Sequence, residues 1–310
     1  MPIQPALPAV PHTTLQQRVQ WPLGRARAVF TVDAIGHRVP RFDFAGRIHS
    51  TFERACNIEC GDSLLTLVGP QAGNGPTTLR LAACVQPDLR RWFAVGESVA
   101  VRQGVARTER AQIHWAHARI WRPARSRVTS TATQRDARRL RSAALLSRQR
   151  RGRSVIDDEA LQITAALRDA CSELDARKMA QQVARLIGWG EGLTPAGDDF
   201  VVGLCAGLDA LAGTDRRRGA FRGELTAAIG ASVQRTTRIS AHHLRLAAAG
   251  HYNERLLDMR DALLSDAPWP RVEDALLAAC AVGATSGADT IAGLLTALEA
   301  WSTSPAAVVV

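Results

Sequence analysis

Residues 188–200 read "GWGEGLTPAGDDF", and residues 283–293 read "GATSGADTIAG". Both contain Gly-x-Thr, and both continue as Gly-x-Asp-x-x-x-Gly. The positions are Gly197, Asp199 and Gly203 in the first copy, and Gly287, Asp289 and Gly293 in the second. The copies differ by one residue between Thr and Gly, and each runs into small and apolar residues, "LCAGLDAL" and "LLTALEAW". We read them as a pseudo-repeat of helix starts. Thr194 is expected to cap the first helix, with Pro195 at its first position, where a missing N–H costs nothing. Thr285 or Ser286 is expected to cap the second. A helix tip leaves free N–H groups and a partial positive charge, which together attract an anion. Glycines such as Gly192, Gly197 and Gly287 let a ligand approach the backbone closely. If the two helices lie side by side, Asp198, Asp199 and Asp289 face one pocket, and these three are the catalytic candidates. Such carboxylates can hold Mg²⁺, accept hydrogen bonds from ligand N–H groups or act as a base. Sequence leaves those choices open and the metal unassigned. Acidic residues in a first turn also stabilise a helix by about 0.3–1 kcal/mol with no ligand at all. The duplication favours function over that plainer reading, as do helix glycines that cost roughly 1 kcal/mol each.

A third polar element is "QRTTRISAHHLRLAAAGHYNERL", residues 234–256. Ser240 reads as an N-cap and Gly250 as a C-terminal stop. Thr236, Thr237 and Arg238 form a polar approach to that helix, and Arg238 can grip a carboxylate bidentately. His242 and His243 are adjacent on a helix and face different directions, which suits packing or surface roles. His114 and His117 fall on opposite faces of a β-type run, which argues against paired metal ligands. His49, in "GRIHSTF", is a site candidate if the β-rich part covers the pocket.

The elements that must position these residues fall into two kinds. Up to about residue 124 the chain alternates apolar and polar residues in short runs, "RAVFTVDA", "SLLTLVG" and "QIHWAHARIW" among them, separated by turn signals. This predicts a small β-barrel or sandwich over 24–124, after a Pro-rich N-terminus (1–23) read as flexible. Residues 125–153 are Arg-, Ser- and Thr-rich and read as a linker that turns helical near Asp136. The rest, 154–303, reads as a larger all-α domain, so the class is α+β. Helices are expected at 155–170, 195–212, 217–233, 241–249, 252–264, 271–282 and 287–301, with Ser172 capping another that closes at Gly188. Short loops between them predict an antiparallel helical domain.

Composition narrows the function classes. The net charge is +10 over 310 residues, but residues 90–153 alone hold 17 Arg against Glu97, Glu109 and Asp136. Basicity is therefore a property of one segment. The chain has a single lysine, Lys178, which points to genomic arginine usage rather than to phosphate contacts. No stacking motif frames Trp115 or Trp121, so nucleic acid is not the expected partner and an acidic protein surface is. The six cysteines are scattered and read as reduced, buried thiols. No apolar run reaches membrane-spanning length, and no secretory signal is visible, so the cytoplasm is expected. Gly-x-Ser-x-Gly, Walker, dinucleotide and His-Glu-x-x-His signatures are lacking.

Four separated motifs, "GRIHSTFERACNIECGDSLLTLVGPQAGNGPTTLRL", "GWGEGLTPAGDDFVVG", "TTRISAHHLRLAAAGHYNERL" and "GATSGADTIAGLLTAL", occur in this order. Together they resemble the AllH family, whose best-understood member is a subunit of the oxamate carbamoyltransferase complex. The resemblance spans roughly residues 26–301. It implies a cytoplasmic protein beside FdrA-like and AllG-like subunits. That complex converts oxalurate and phosphate to oxamate and carbamoyl phosphate in allantoin nitrogen use. The resemblance carries over no individual catalytic residue. The substrate-binding set read from the motifs is therefore Gly192, Thr194, Gly197, Arg238, Ser240, Thr285, Ser286, Gly287 and His49. A small ureido or amide acid suits it, with the anionic end at the helix N–H groups and the NH₂ end at Asp. The alternative is a non-catalytic binding or scaffold subunit of an FdrA-type complex.

Overall fold

The computed structural model describes residues 27–82, 87–124, 128–150 and 158–302. The N-terminal stretch read as flexible, and Cys84, lie outside the described residues. The chain divides into two compact units, with the boundary between Trp121 and Arg122.

The first unit is a β-barrel of the alternating runs. Its strands are β1 (Ala28–Gly36), β2 (Phe44–Thr51), β3 (Ala55–Cys60), β4 (Ser63–Val68), β5 (Thr78–Leu81), β6 (Ser98–Arg102), β7 (Val105–Arg107), β8 (Ala111–His114) and β9 (Arg119–Trp121). The order β5-β4-β3-β2-β6-β7-β8-β1 closes on itself because β1 also pairs with β5. One strand serves both neighbours. Residues Ala28 to Thr31 of β1 run parallel to β8, and from Val32 onward it pairs antiparallel with β5. Strand β9 adds to the far end of β1. Closure leaves few unpaired edges. Inward residues such as Ile48, Ile58, Leu65, Leu67, Leu79, Val101 and Ile113 fill the interior. His49 on β2 faces a polar row instead. Its Nδ1 lies 3.1 Å from Ser50 Oγ, which accepts from Asn57 Nδ2 at 2.9 Å.

The second unit is helical: α1 (Ala132–Arg150), α2 (Asp158–Glu173), α3 (Ala176–Leu186), α4 (Ala196–Ala212), α5 (Arg216–Ser232), α6 (Arg238–Ala248), α7 (Glu254–Leu264), α8 (Trp269–Cys280) and α9 (Ser286–Ser302). The start of α3 differs from its sequence signal. Ser172 is not an N-cap; it lies in the last turn of α2 and donates to the Arg168 carbonyl. Asp175 caps α3, accepting from the Lys178 N–H, after Leu174 turns the chain at φ +57°.

Helix α4 is buried from Gly197 to Leu208 except at Val202, so it is the core helix. Its main partner is α9. A Cβ on Gly203 would meet the Thr290 carbonyl oxygen at 1.8 Å, and one on Gly293 would meet that of Phe200 at 1.9 Å. Further along, Gly207 faces Leu294 and Ala297. Positions rise together along both helices, so α4 and α9 run parallel with their N-termini at one end. Sequence predicted antiparallel neighbours. Those two helices are distant in the chain, and short loops do not constrain their direction. At the other end of α4, Arg222 of α5 bonds Asp209, the Ala247 carbonyl (2.7 Å) and Thr226 Oγ1 (2.7 Å), and the Tyr252 hydroxyl donates to Asp209.

The stretch read as a linker contains α1, and four of its arginines make contacts within the helical unit. Arg135 donates to the Ser130 carbonyl, and Arg138 donates to the Leu263 and Ser265 carbonyls that end α7. Arg139 bridges Asp136 and Glu299, and Arg141 sits 4.0 Å over the Trp269 ring. These four arginines therefore serve packing within this unit. Burial pushes the Cys56 and Cys171 thiols up to about 12, which keeps them neutral and unreactive.

The glycine contacts make a direct prediction. Gly203→Ala and Gly293→Ala each place a methyl against backbone, and each lowers stability by about 1–3 kcal/mol. Gly219→Ala and Gly223→Ala in α5, where a Cβ meets nothing within 4 Å, raise it by about 0.5–1 kcal/mol. Urea midpoints of the four variants check the contrast.

Candidate functional site

The parallel packing of α4 and α9 brings the two pseudo-repeated tips together. Each tip is built alike. The Gly197 N–H donates to the Trp189 carbonyl just past α3, and the Gly287 N–H donates to the Val282 carbonyl just past α8, both at 3.0 Å. A Cβ on Gly197 would meet the Leu186 carbonyl oxygen at 2.1 Å, and one on Gly287 that of Ala279 at 2.0 Å. The repeat is therefore longer than its motif: α3-turn-α4 and α8-turn-α9 are equivalent. This also changes two expected roles. The space beside Gly197 and Gly287 is filled by a carbonyl of the preceding helix, and their N–H groups are spent internally. These glycines serve chain packing rather than ligand approach.

The expected caps shift as well. Pro195, not Thr194, is the N-cap of α4, and no side chain caps that tip. In the second copy α9 starts at Ser286, and the Thr285 carbonyl takes the Asp289 N–H at 3.0 Å. Thr237, not Ser240, caps α6, accepting from the Ser240 N–H at 3.1 Å. Ser240 is one turn inside the helix because the cap lies where the backbone leaves the extended region.

The three aspartates are buried, at 1%, 5% and 6% exposure for Asp198, Asp199 and Asp289, yet they differ in what they touch. Asp198 holds a loop. Its Oδ1 accepts from the Gly188 N–H at 2.8 Å, its Oδ2 accepts from Thr236 Oγ1, and the Ser240 hydroxyl adds a third bond. Burial raises its carboxyl above the ordinary range, and those bonds oppose the rise. Thr237 supports the same loop by donating to the Leu193 carbonyl at 2.6 Å. Thr236 and Thr237 are thus positioning residues, and their signal in the sequence was a pair of hydroxyls just before α6.

Asp199 stands one residue on, about 100° around the helix, and faces the other tip. The Ser286 and Thr194 hydroxyls lie against its carboxyl, and Asp289 and Asp198 are close enough to disfavour its charge. Its Oδ2 is buried with no hydrogen-bond partner among the described residues. Burial above all, then the two neighbouring carboxylates, push its pKa up to about 8. The carboxyl is therefore a buried acid at neutral pH, able to donate or accept a proton. Arg238 is exposed at the first position of α6, and Gly192 is exposed with open space around it at φ +91°. His242 is buried and His243 exposed. His49 belongs to the barrel unit.

The donor set does not suit a resident magnesium ion. Among the described residues no group of three or more His, Cys, Asp or Glu is placed to hold a metal. Asp198 is occupied by its own hydrogen bonds, which takes it out of the carboxylate set that Mg²⁺ would need.

Two family models match this chain. Residues 28–120 match the AllH family N-terminal domain, and residues 186–298 match the oxamate carbamoyltransferase subunit AllH. The chain belongs to the AllH family. No curated protein and no solved structure matches it significantly. The AllH N-terminal match falls on the barrel, and the subunit match runs from the end of α3 through most of α9. It therefore takes in both helix tips. No helix among the described residues is long and apolar enough to cross a membrane.

The titration of Asp199 has a consequence for stability. Its folded value lies above its ordinary value near 3.8, so between about pH 4 and pH 8 the native state binds a proton that the unfolded chain releases. Stability from this group is complete below about pH 4 and is lost as pH rises through about 8. Asp199→Asn removes that loss. The variant is expected to gain stability relative to the parent at about pH 9 and to show a flatter pH dependence, measured by denaturation from pH 5 to 9.

Proposed function

We propose that this chain is a subunit of an oxamate carbamoyltransferase-like complex, and that the α4 and α9 tips form its substrate site. The complex would transfer the carbamoyl group of oxalurate, or of a related ureido or amide acid, to phosphate. The products are oxamate and carbamoyl phosphate, in a cytoplasmic route that recovers nitrogen from allantoin. FdrA-like and AllG-like subunits are the proposed partners.

Membership of the AllH family supports the reaction class. The single structural observation that supports a site on this chain is the buried Asp199 Oδ2, left without a partner where two equivalent tips meet. Leaving such an oxygen unpaired costs free energy that a purely structural design avoids. A ureido acid offers N–H and carbonyl groups for Asp199, Asp289, Thr194, Ser286 and Thr285. Arg238, exposed beside the loop that Thr237 holds, is the cation proposed to meet a carboxylate or phosphate. Asp198 holds the loop that carries Thr194. Gly192, which has room around it, is the glycine of the set that a ligand can approach. Phosphate, the second substrate, reaches the same tips.

Co-expression of the full chain with FdrA-like and AllG-like subunits tests this reading. The assembled complex is expected to form carbamoyl phosphate from oxalurate and phosphate only when this chain is present. With Asp289→Asn, the complex should still assemble and turn over on the order of 10²–10⁴-fold more slowly. Full turnover without this chain, or with that variant, would leave it as a scaffold subunit.

A further inference from the structure

The two copies of the repeat differ in the turn that joins their helices. In the second copy the Gly287 N–H reaches back five positions, to the Val282 carbonyl; in the first the Gly197 N–H reaches back eight, to the Trp189 carbonyl. Five positions are enough to lead one helix into the next through the same bond. The first turn therefore carries three residues that the connection does not need. They form an exposed crest of Gly190, Glu191, Gly192 and Leu193, and Leu193 is 48% exposed. Gly188, Gly190 and Gly192 hold φ at +82°, +105° and +91°. A Cβ on Gly188 would meet the Arg235 carbonyl oxygen at 2.6 Å, and one on Gly190 the Ala196 nitrogen at 2.8 Å. At Gly192 nothing lies within 4 Å. The base of the turn is thus packed and its crest is free. The crest is tied down by Thr237, whose Oγ1 donates to the Leu193 carbonyl at 2.6 Å.

The turn leads directly onto Asp199. Thr194, next after the crest, sets its hydroxyl against that carboxyl, and Ser286 does so from α9. The Asp199 Oδ2 atom is shut off from solvent and has no hydrogen-bond partner. Such an oxygen calls for a polar partner, and in this arrangement a ligand from solvent does not reach it.

We infer that residues 190–193 are a lid, which lifts with Thr194 to admit the substrate to Asp199 and closes over it. This rests on the reading above that the tips hold the substrate. Opening breaks the bond from Thr237 to the Leu193 carbonyl and takes the Thr194 hydroxyl off Asp199. The bonds of Asp198 to the Gly188 N–H, Thr236 and Ser240 stay intact and hold the base of the turn. Asp198 is thus the anchor and Thr237 the latch. Gly190 and Gly192 can change φ without a Cβ to oppose the motion. Few contacts hold the crest, so its opening costs far less than unfolding the unit. Closure keeps water from the reacting group, as it keeps water from Asp199 Oδ2 here. The second tip needs no such cover, and its turn is shorter by those three residues.

Carboxyl labelling of the full chain, with a water-soluble carbodiimide and glycine ethyl ester and read by mass spectrometry, tests the lid without any substrate. Asp199 is expected to label far more slowly than the exposed Glu191, at a rate set by opening. Thr237→Asp keeps an oxygen to cap α6 but has no hydrogen to give the Leu193 carbonyl. It is expected to speed Asp199 labelling roughly two- to tenfold, the effect of losing one hydrogen bond. Hydrogen exchange in the α4 core around Leu204 should stay as in the parent. Thr237→Ser keeps both bonds and should label like the parent. Asp199 labelling as fast as Glu191 in the parent overturns the lid, as does an unchanged rate in Thr237→Asp. A faster rate matched by faster exchange around Leu204 also overturns it, since the whole helix pair has then loosened. In the assembled complex, oxalurate with phosphate is expected to slow Asp199 labelling. If they leave it unchanged while the Thr237 variants behave as expected, the lid stands and the substrate reading is wrong.

Discussion

The helical unit depends on one close approach, the reciprocal contact of α4 and α9. Gly203 lies under the Thr290 carbonyl, and Gly293 lies under that of Phe200. A side chain at either point would push the axes apart, and the tips beyond would separate with them. Glycine inside a helix is unfavourable by roughly 1 kcal/mol relative to alanine. The gain is backbone-to-backbone packing along a helix buried on all sides. Because the axes run parallel, the same contact that fills the core fixes where both N-termini end.

What happens at those N-termini follows from helix geometry and dielectric. Asp198 and Asp199 are neighbours in sequence and differ by about 100° around the axis. One carboxyl turns to the α6 side and is consumed by a backbone N–H and two hydroxyls. The other turns to α9, where it meets Asp289 and only hydroxyls. In water the two would titrate alike. Buried, they separate, because a backbone N–H and two hydroxyls compensate the charge of the first, whereas the two hydroxyls at the second work against two neighbouring carboxylates. The loop before α4 is held by Thr236 and Thr237, so the geometry of Thr194 depends on the start of α6 as well as on its own helix.

The basic segment illustrates how charge in a sequence can mislead about partners. Arg135, Arg138, Arg139 and Arg141 are spent on carbonyls, carboxylates and the Trp269 ring of the same unit. Helix α1 is thereby fastened across the ends of α7, α8 and α9. A guanidinium suits this work, since it presents several donors in one plane and stacks on aromatic rings. The net charge of a segment counts these groups, but only their surroundings tell which remain available to another molecule.

Local signals carried much of this architecture. Period-two alternation marked the strands, and apolar runs between turn residues marked the helices from α4 to α9 close to where they lie. The Gly-x-Asp-x-x-x-Gly repeat singled out the tips, because equal local chemistry produces equal helix starts wherever the chain places them. Caps were less legible: Thr194, Ser172 and Ser240 each had the right side chain, but a cap requires the backbone to leave the helix there, and φ and ψ are not written in residue type. Closure of the barrel through the two halves of β1, the parallel direction of α4 and α9, and the filling of the Gly197 and Gly287 spaces by carbonyls were decided by tertiary structure alone. The same holds for the separation of Asp198 from Asp199. Each depends on groups far apart in the chain meeting out of water, and burial sets the strength of a charge or a contact only once the fold has chosen its neighbours.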